Sequence, residues 1–172
     1  MDVPTLTIRL YGDPCLRRKS KPLKEVGAVE RLLIQSLIDT MHHYKGVGLA
    51  APQVGVNERI FIMDVGKGLV AVVNPEIVKA SGSAALEEGC LSIPNINVVV
   101  KRPEKIDVRY RNEENRLISA HLEDLSARVF QHETDHLNGR LIIDYAGSQE
   151  KKQFKKKLDD IQKGSISDAR EN

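Results

Sequence analysis

This chain has little capacity for disulfide bonding. Only two cysteines occur in 172 residues, Cys15 and Cys90, in settings that look unalike. That excludes a disulfide framework and fits a reducing, cytoplasmic home. No apolar run is long enough to cross a bilayer, so no membrane partner is expected. The first residues, Met1-Asp2-Val3-Pro4-Thr5, have neither a basic head nor an apolar stretch, so no secretion signal is expected. An excess of charge is missing too. The 26 basic and 24 acidic side chains leave a formal net charge of +2, which argues against a dedicated nucleic-acid surface, and no DNA is expected as a partner. A local basic patch stays open. What is present, 41% hydrophobic and 29% charged residues, is the make-up of an ordinary globular protein. Residues 1–164 are expected to form one domain with a real core, and the polar stretch 165–172 to fray.

Hydrophobic period divides the chain into elements. Val29, Leu33, Leu37 and Met41 recur at helical spacing, with Ile34 and Ile38 widening the stripe, until Gly46 and Gly48 stop the helix. The middle turns to short β-branched runs at residues 59–65, 69–73, 98–101, 105–111 and 116–122, separated by glycine, proline and asparagine turns. Helical spacing returns at Leu125, Val129, His132 and His136, with Asn138-Gly139 as its C-cap. A last helix spans about 148–163, with Phe154, Leu158 and Ile161 as its buried stripe. The predicted fold is a compact single α+β domain, its antiparallel strands packed around a central helix that carries the most informative motif.

That motif is Gln131-His132-Glu133-Thr134-Asp135-His136. Histidines four apart share one helical face and reach one metal ion, and the adjacent glutamate can take a proton from a metal-activated water. A catalytic site of this type needs a third protein ligand. One class of HExxH protein places a histidine six residues past the second, where this chain has Ile142. Another uses a downstream glutamate, but Glu150 lies on a lysine-rich surface helix and Glu171 in the tail. The remaining soft candidate is Cys90, in Glu87-Glu88-Gly89-Cys90-Leu91-Ser92. On the residues alone it is either the third ligand or a small buried hydrophobe. Cys15, in a turn after Asp13-Pro14, reads as inert packing. The segment Gly46-Val47-Gly48-Leu49-Ala50-Ala51-Pro52-Gln53 lets backbone approach closely and ends in a donor amide. Alone it is a glycine-rich turn, and it lacks the ending of a phosphate loop.

The three segments together, GVGLAAPQ, EGCLS and QHETDH, in that order and at these intervals, resemble the peptide deformylase family. The likeness extends over Tyr11-Gly12-Asp13-Pro14, Leu16-Arg17, Asp64, Asn74-Pro75 and Arg102, so it spans nearly all of the chain to about Tyr145. It implies removal of the formyl group from the N-terminal methionine of nascent polypeptides, with release of formate. Cys90, His132 and His136 would hold one divalent metal with water in the fourth position. Ferrous iron is the expected ion, and zinc, nickel or cobalt fit as well. Glu133 would be the general base that activates that water and then protonates the leaving amine. The Gln53 side chain and the Leu91 backbone N–H would stabilise the oxyanion, and Gly48 would contact substrate. The methionine side chain would rest near Leu125, Val129 and the Gly46 loop.

Several expectations concern the surroundings. Arg128 is expected to face water, its stem covering the pocket rim. Arg102 and Glu88 form either a pair that orients the cysteine loop or two unpaired surface charges. Asp135 is expected at most to bond a structural partner, and His42, His43 and His121 to lie at the surface or core edge. Lys151, Lys152, Lys155, Lys156 and Lys157 form either a solvated face or, by the resemblance, a patch that docks on ribosomal RNA. Two other functions compete. A zinc endopeptidase is favoured by HExxH but opposed by Ile142 and the short chain. A non-enzymatic ribosome-associated module finds no support, since every catalytic position is intact.

Overall fold

Glu30 reaches back to the Gly27 amide and opens α1 (Ala28–His43) with half of a capping box. The computed structural model describes residues 5–165; the tail expected to fray lies outside them from residue 166 onward. Of the α1 stripe, Ile34, Leu37 and Met41 are buried, whereas Val29 is 74% exposed. The helix meets the core only from its second turn, so the sequence pattern overstates the buried face by one residue.

The seven strands among the described residues are β1 (Gly48–Ala50), β2 (Ile60–Met63), β3 (Val70–Ser81), β4 (Ala84–Cys90), β5 (Ile93–Arg102), β6 (Lys105–Arg111) and β7 (Leu117–Glu123). All pair antiparallel, in a five-stranded sheet of order β1-β2-β3-β6-β7 and a two-stranded sheet β4-β5. Two of them go beyond the sequence reading. The glycine-rich segment, read as a turn, contains β1, paired to β2 with Gly48 opposite Met63. The run read at 98–101 is the end of a ten-residue strand whose partner, β4, carries the cysteine motif. Ala84, Glu87, Glu88 and Gly89 have poor β propensity, so only pairing with Val98 and Val100 makes this stretch a strand.

After β7 the chain enters α2 (Asp124–Leu137), which ends on Asn138 with Gly139 at φ +71°. A Cβ on Gly139 would stand 2.5 Å from the Arg17 carbonyl oxygen, so space as well as the left-handed backbone demands glycine. Ala127, Val129, Phe130 and Leu137 pack α2 against Phe61, Val72, Ile106 and Val108 of the large sheet, with the Phe61 and Phe130 rings edge to face. The opposite face of α2 meets β4 and β5 through polar side chains. α2 therefore runs between the two sheets, as the α+β reading anticipates. The last helix, α3 (Ser148–Gln162), buries Leu158 and Ile161 with Leu16, Ile96, Val98 and Ile142. No described helix is long and apolar enough to cross a membrane.

Candidate metal centre and active site

The helical rise of α2 stacks His132 and His136 with ring centroids 5.0 Å apart. Cys90 joins them from the end of β4. The β4–β5 register shifts between Glu88 and Cys90, and this irregularity turns the sulfur toward the helix. Cys90 Sγ lies 3.4 Å from His136 Nε2, and one ligand atom from each of Cys90, His132 and His136 falls within 4.8 Å of the other two. No other group of three His, Cys, Asp or Glu among the described residues is so gathered.

The surroundings fix the orientation of each donor. His132 Nδ1 lies 3.0 Å from Glu88 Oε2, which leaves Nε2 for a cation. Burial disfavours a charged His132, yet hydrogen bonds to Cys90 and Glu88 outweigh it and hold its pKa well above the ordinary value. Burial, helped by the neighbouring positive charge of His132 and Arg102, pushes His136 well below. Glu133 follows His132 into the same cleft at 4% exposure, and its Oε2 has no hydrogen-bond partner. Burial raises the Glu133 carboxyl to about 7; a cation bound beside it would act in the opposite sense. Gly48 gives this carboxylate room, because a Cβ there would meet Glu133 Oε1 at 2.5 Å.

Opposite Glu133, the Gln53 carbonyl oxygen accepts from the Ala50 amide at 3.0 Å. That bond aims the Gln53 Nε2 at Cys90 Sγ (3.6 Å) and Ser92 Oγ (3.2 Å). Gln53, Leu91, Gly48, Leu125 and Val129 all line one cavity of about 550 Å³ together with Cys90, His132 and Glu133. Leu125 is 52% exposed at its mouth, and Val129 is buried.

Behind the histidines lies a buried ionic network. Burial alone would raise the Glu88 pKa, but hydrogen bonds from His132 and Arg102 hold it down to about 2. Arg102 grips Glu88 with Nε (2.6 Å) and Nη2 (3.0 Å) and Asp135 with Nη1 (2.8 Å). Tyr145 donates to Asp135 at 2.7 Å. Of the two readings of Arg102 and Glu88, the pair is therefore the one that holds. The expectation for Arg128 is overturned: it is 7% exposed and bonds Glu88 Oε1 and the carbonyls of Val100 and Ala84. Its place four residues before His132, on the same stripe as both histidines, was the available signal; the habit of giving lysine and arginine to solvent hid it. Ser92, which holds the Gln53 amide, has no role in the sequence reading, although its place at the end of EGCLS is a signal. Cys15 donates its thiol to the Pro52 carbonyl at 3.3 Å, and burial pushes its pKa up to about 12, so it is packing as expected. His42, His43 and His121 are exposed.

The donor chemistry fits a cation. A thiol and two imidazoles converge, a buried carboxylate oxygen beside them lacks a partner, and their softness suits a first-row transition metal. Fold and donor set thus define a class, a small α+β hydrolase built around a group able to hold one metal ion. Comparison with known proteins gives the family. Residues 5–152 match the family model described as polypeptide deformylase. The chain is 48% identical to a peptide deformylase of Thermotoga neapolitana, covering 92% of this chain and 97% of that one. The crystal structure of peptide deformylase from Thermotoga maritima superposes with a TM-score of 0.82 at 49% identity, covering 84% of this chain and 99% of the other. That of a peptide deformylase from Synechococcus elongatus in complex with actinonin gives 0.85 at 36% identity, covering 91% and 88%. The chain belongs to the polypeptide deformylase family, enzymes that hydrolyse the N-terminal formyl amide of polypeptides.

Proposed function

We propose that Cys90, His132 and His136 hold one divalent ion, Fe²⁺ in the cell, and that the cleft hydrolyses N-formylmethionyl nascent chains with Glu133 as general base. The observation that carries this reading is the convergence of the three donors beside a buried, unpartnered Glu133 oxygen. A bound cation supplies Lewis acidity, polarising the formyl carbonyl and making water acidic near neutral pH. Zn²⁺, Ni²⁺ and Co²⁺ suit the same donors.

Glu133 accepts a proton from the attacking water at its unpartnered oxygen, then passes it to the amine nitrogen as the C–N bond breaks and formate leaves. Gln53 has two amide hydrogens. One is engaged by Ser92, and the other points toward Cys90, where charge develops on the formyl oxygen. With the Leu91 N–H it forms a donor pair, each member worth roughly a hundredfold in rate. The Gly48 backbone contacts the substrate chain, and Leu125 and Val129 receive the unbranched methionine side chain. Backbone at Gly48 and Cys90 leaves room for a formyl hydrogen and crowds an acetyl methyl.

The cytoplasm is where nascent chains meet such a site. Lys151, Lys152, Lys155, Lys156 and Lys157 are exposed on α3, though Lys155 pairs with Asp159 and Lys157 with the Asn95 carbonyl. We propose that the remaining charge favours ribosomal RNA phosphates near emerging chains, in a salt-dependent way. The metal-loaded protein is expected to release formate from formyl-Met-Ala-Ser, to act little on acetyl-Met-Ala-Ser and to leave internal peptide bonds intact. Cleavage of casein-like chains without formate would replace this reading with the endopeptidase.

A further inference from the structure

We infer that Arg128 is a positioning residue of the metal centre, a clamp that sets the distance between the cysteine-bearing hairpin and the histidine-bearing helix. The inference rests on Cys90, His132 and His136 being the ligands. Those ligands come from two elements in different sheet layers. Cys90 ends β4, in a two-stranded sheet that shares no ladder with the large sheet, whereas His132 and His136 ride on α2, which packs on the large sheet. No strand ladder joins β4 to the sheet beneath α2, so side chains that cross from α2 to the hairpin bear on where Cys90 sits.

Arg128 spans that gap. From α2, one turn before His132, Nη1 donates to Glu88 Oε1 at 2.7 Å and to the Val100 carbonyl at 2.9 Å, and Nη2 donates to the Ala84 carbonyl at 2.8 Å. It thereby holds the start of β4, the middle of β4 and the body of β5. The Glu88 carboxylate it grips with one oxygen receives His132 Nδ1 at the other, 3.0 Å away. Arg102 shares Glu88 but belongs to β5 itself and reaches α2 only through Asp135. Charge also closes over the set, with guanidinium groups on Arg102 and Arg128 facing carboxylates on Glu88 and Asp135. Burial at 7% exposure keeps water from substituting for these bonds. A planar five-donor fork meets three acceptors at fixed angles, which a lysine ammonium cannot do.

Removing the clamp lets the hairpin drift from α2 and loosens Cys90 relative to both histidines. Groups that orient metal ligands typically change metal affinity roughly 10–100-fold when lost. The test uses full-length protein loaded with Co²⁺ or Zn²⁺, reading the thiolate-to-cobalt absorption band and the rate of zinc loss to a chelator. Arg128→Met is expected to shift and weaken the band and to release zinc roughly tenfold faster or more. Arg128→Lys, which keeps charge without the fork, is expected to fall between Met and wild type and decides the matter if the Met variant does not fold. Ile34→Val, a core change on α1 outside the cleft, controls for general destabilisation and should release zinc at the wild-type rate. A wild-type band and release rate in folded Arg128→Lys or Arg128→Met would overturn the inference, as would equal acceleration by Ile34→Val. Absence of the thiolate band from wild-type protein would instead overturn the ligand assignment beneath it.

Discussion

The two sides of the polar stripe of α2 differ in how fully their polar atoms are used. On the cleft side Glu133 Oε2 is buried with no partner, one of only four such side-chain atoms among the described residues. On the other side Arg102 meets two carboxylates and a tyrosine hydroxyl, and Arg128 three acceptors. Both sides are built from charged groups at low exposure. Burial of a polar atom without a partner costs free energy, so a fold keeps it only where something else will satisfy it. Saturated groups, by contrast, hold shape. The other three unpartnered atoms, His136 Nδ1, Ser20 Oγ and Asn57 Oδ1, do not line the cleft, so an unsatisfied atom points to chemistry only where it faces converging donors.

This contrast predicts different failures for the two sides. The largest belongs to the proposed ligand. Cys90→Ala should lose tight metal binding and with it activity, while Cys15→Ala should keep both; metal content by elemental analysis separates them, and equal binding would remove Cys90 from the set. Next comes Glu133→Gln, which takes a base from the unsatisfied side but no ligand. Turnover should fall roughly 10²–10⁴-fold with metal content and melting temperature near wild type. Parallel loss of metal and activity would instead make Glu133 part of the supporting structure.

A substitution on the saturated side should act on stability first. Arg102→Met leaves Asp135 without its guanidinium and Glu88 with only Arg128 and His132, so denaturant unfolding should show a loss of about 3–5 kcal/mol. A change below 1 kcal/mol would mean that the network is no more than a set of screened pairs. The smallest effect is expected where a similar pair stands in water. Arg17 meets Asp144 at 2.6 and 3.0 Å with both side chains partly exposed. Burial works to raise the Asp144 pKa, but the hydrogen bonds from Arg17 and the Leu141 amide prevail and lower it. A carboxyl lowered on folding contributes stability above its unfolded pKa, near 4, and loses it as pH falls below that. Asp144→Asn should therefore destabilise slightly at pH 7, by well under the Arg102 effect, and the difference should shrink toward pH 3. A gap that widens in acid would reverse the sign and refute the pairing.

The sequence by itself determined the local features. The period of Leu125, Val129, His132 and His136 marked α2, and the four-residue spacing placed both imidazoles on one face, because helix geometry follows from the backbone alone. Three motifs in register were enough to read the resemblance and to single out Cys90, Gln53 and Glu133. Only tertiary structure decided what depends on partners distant along the chain. β4 became a strand because β5 lies beside it, although its own residues are poor strand formers. Val29 stayed outside because only the later turns of α1, through Ile34, Leu37 and Met41, meet the core. Arg128 went inside because Glu88, Ala84 and Val100, 28 to 44 residues away, together offer enough acceptors to offset the desolvation of a guanidinium. A local pattern records the conformation a segment prefers. Whether a charge is buried depends on whether the rest of the fold brings groups to meet it.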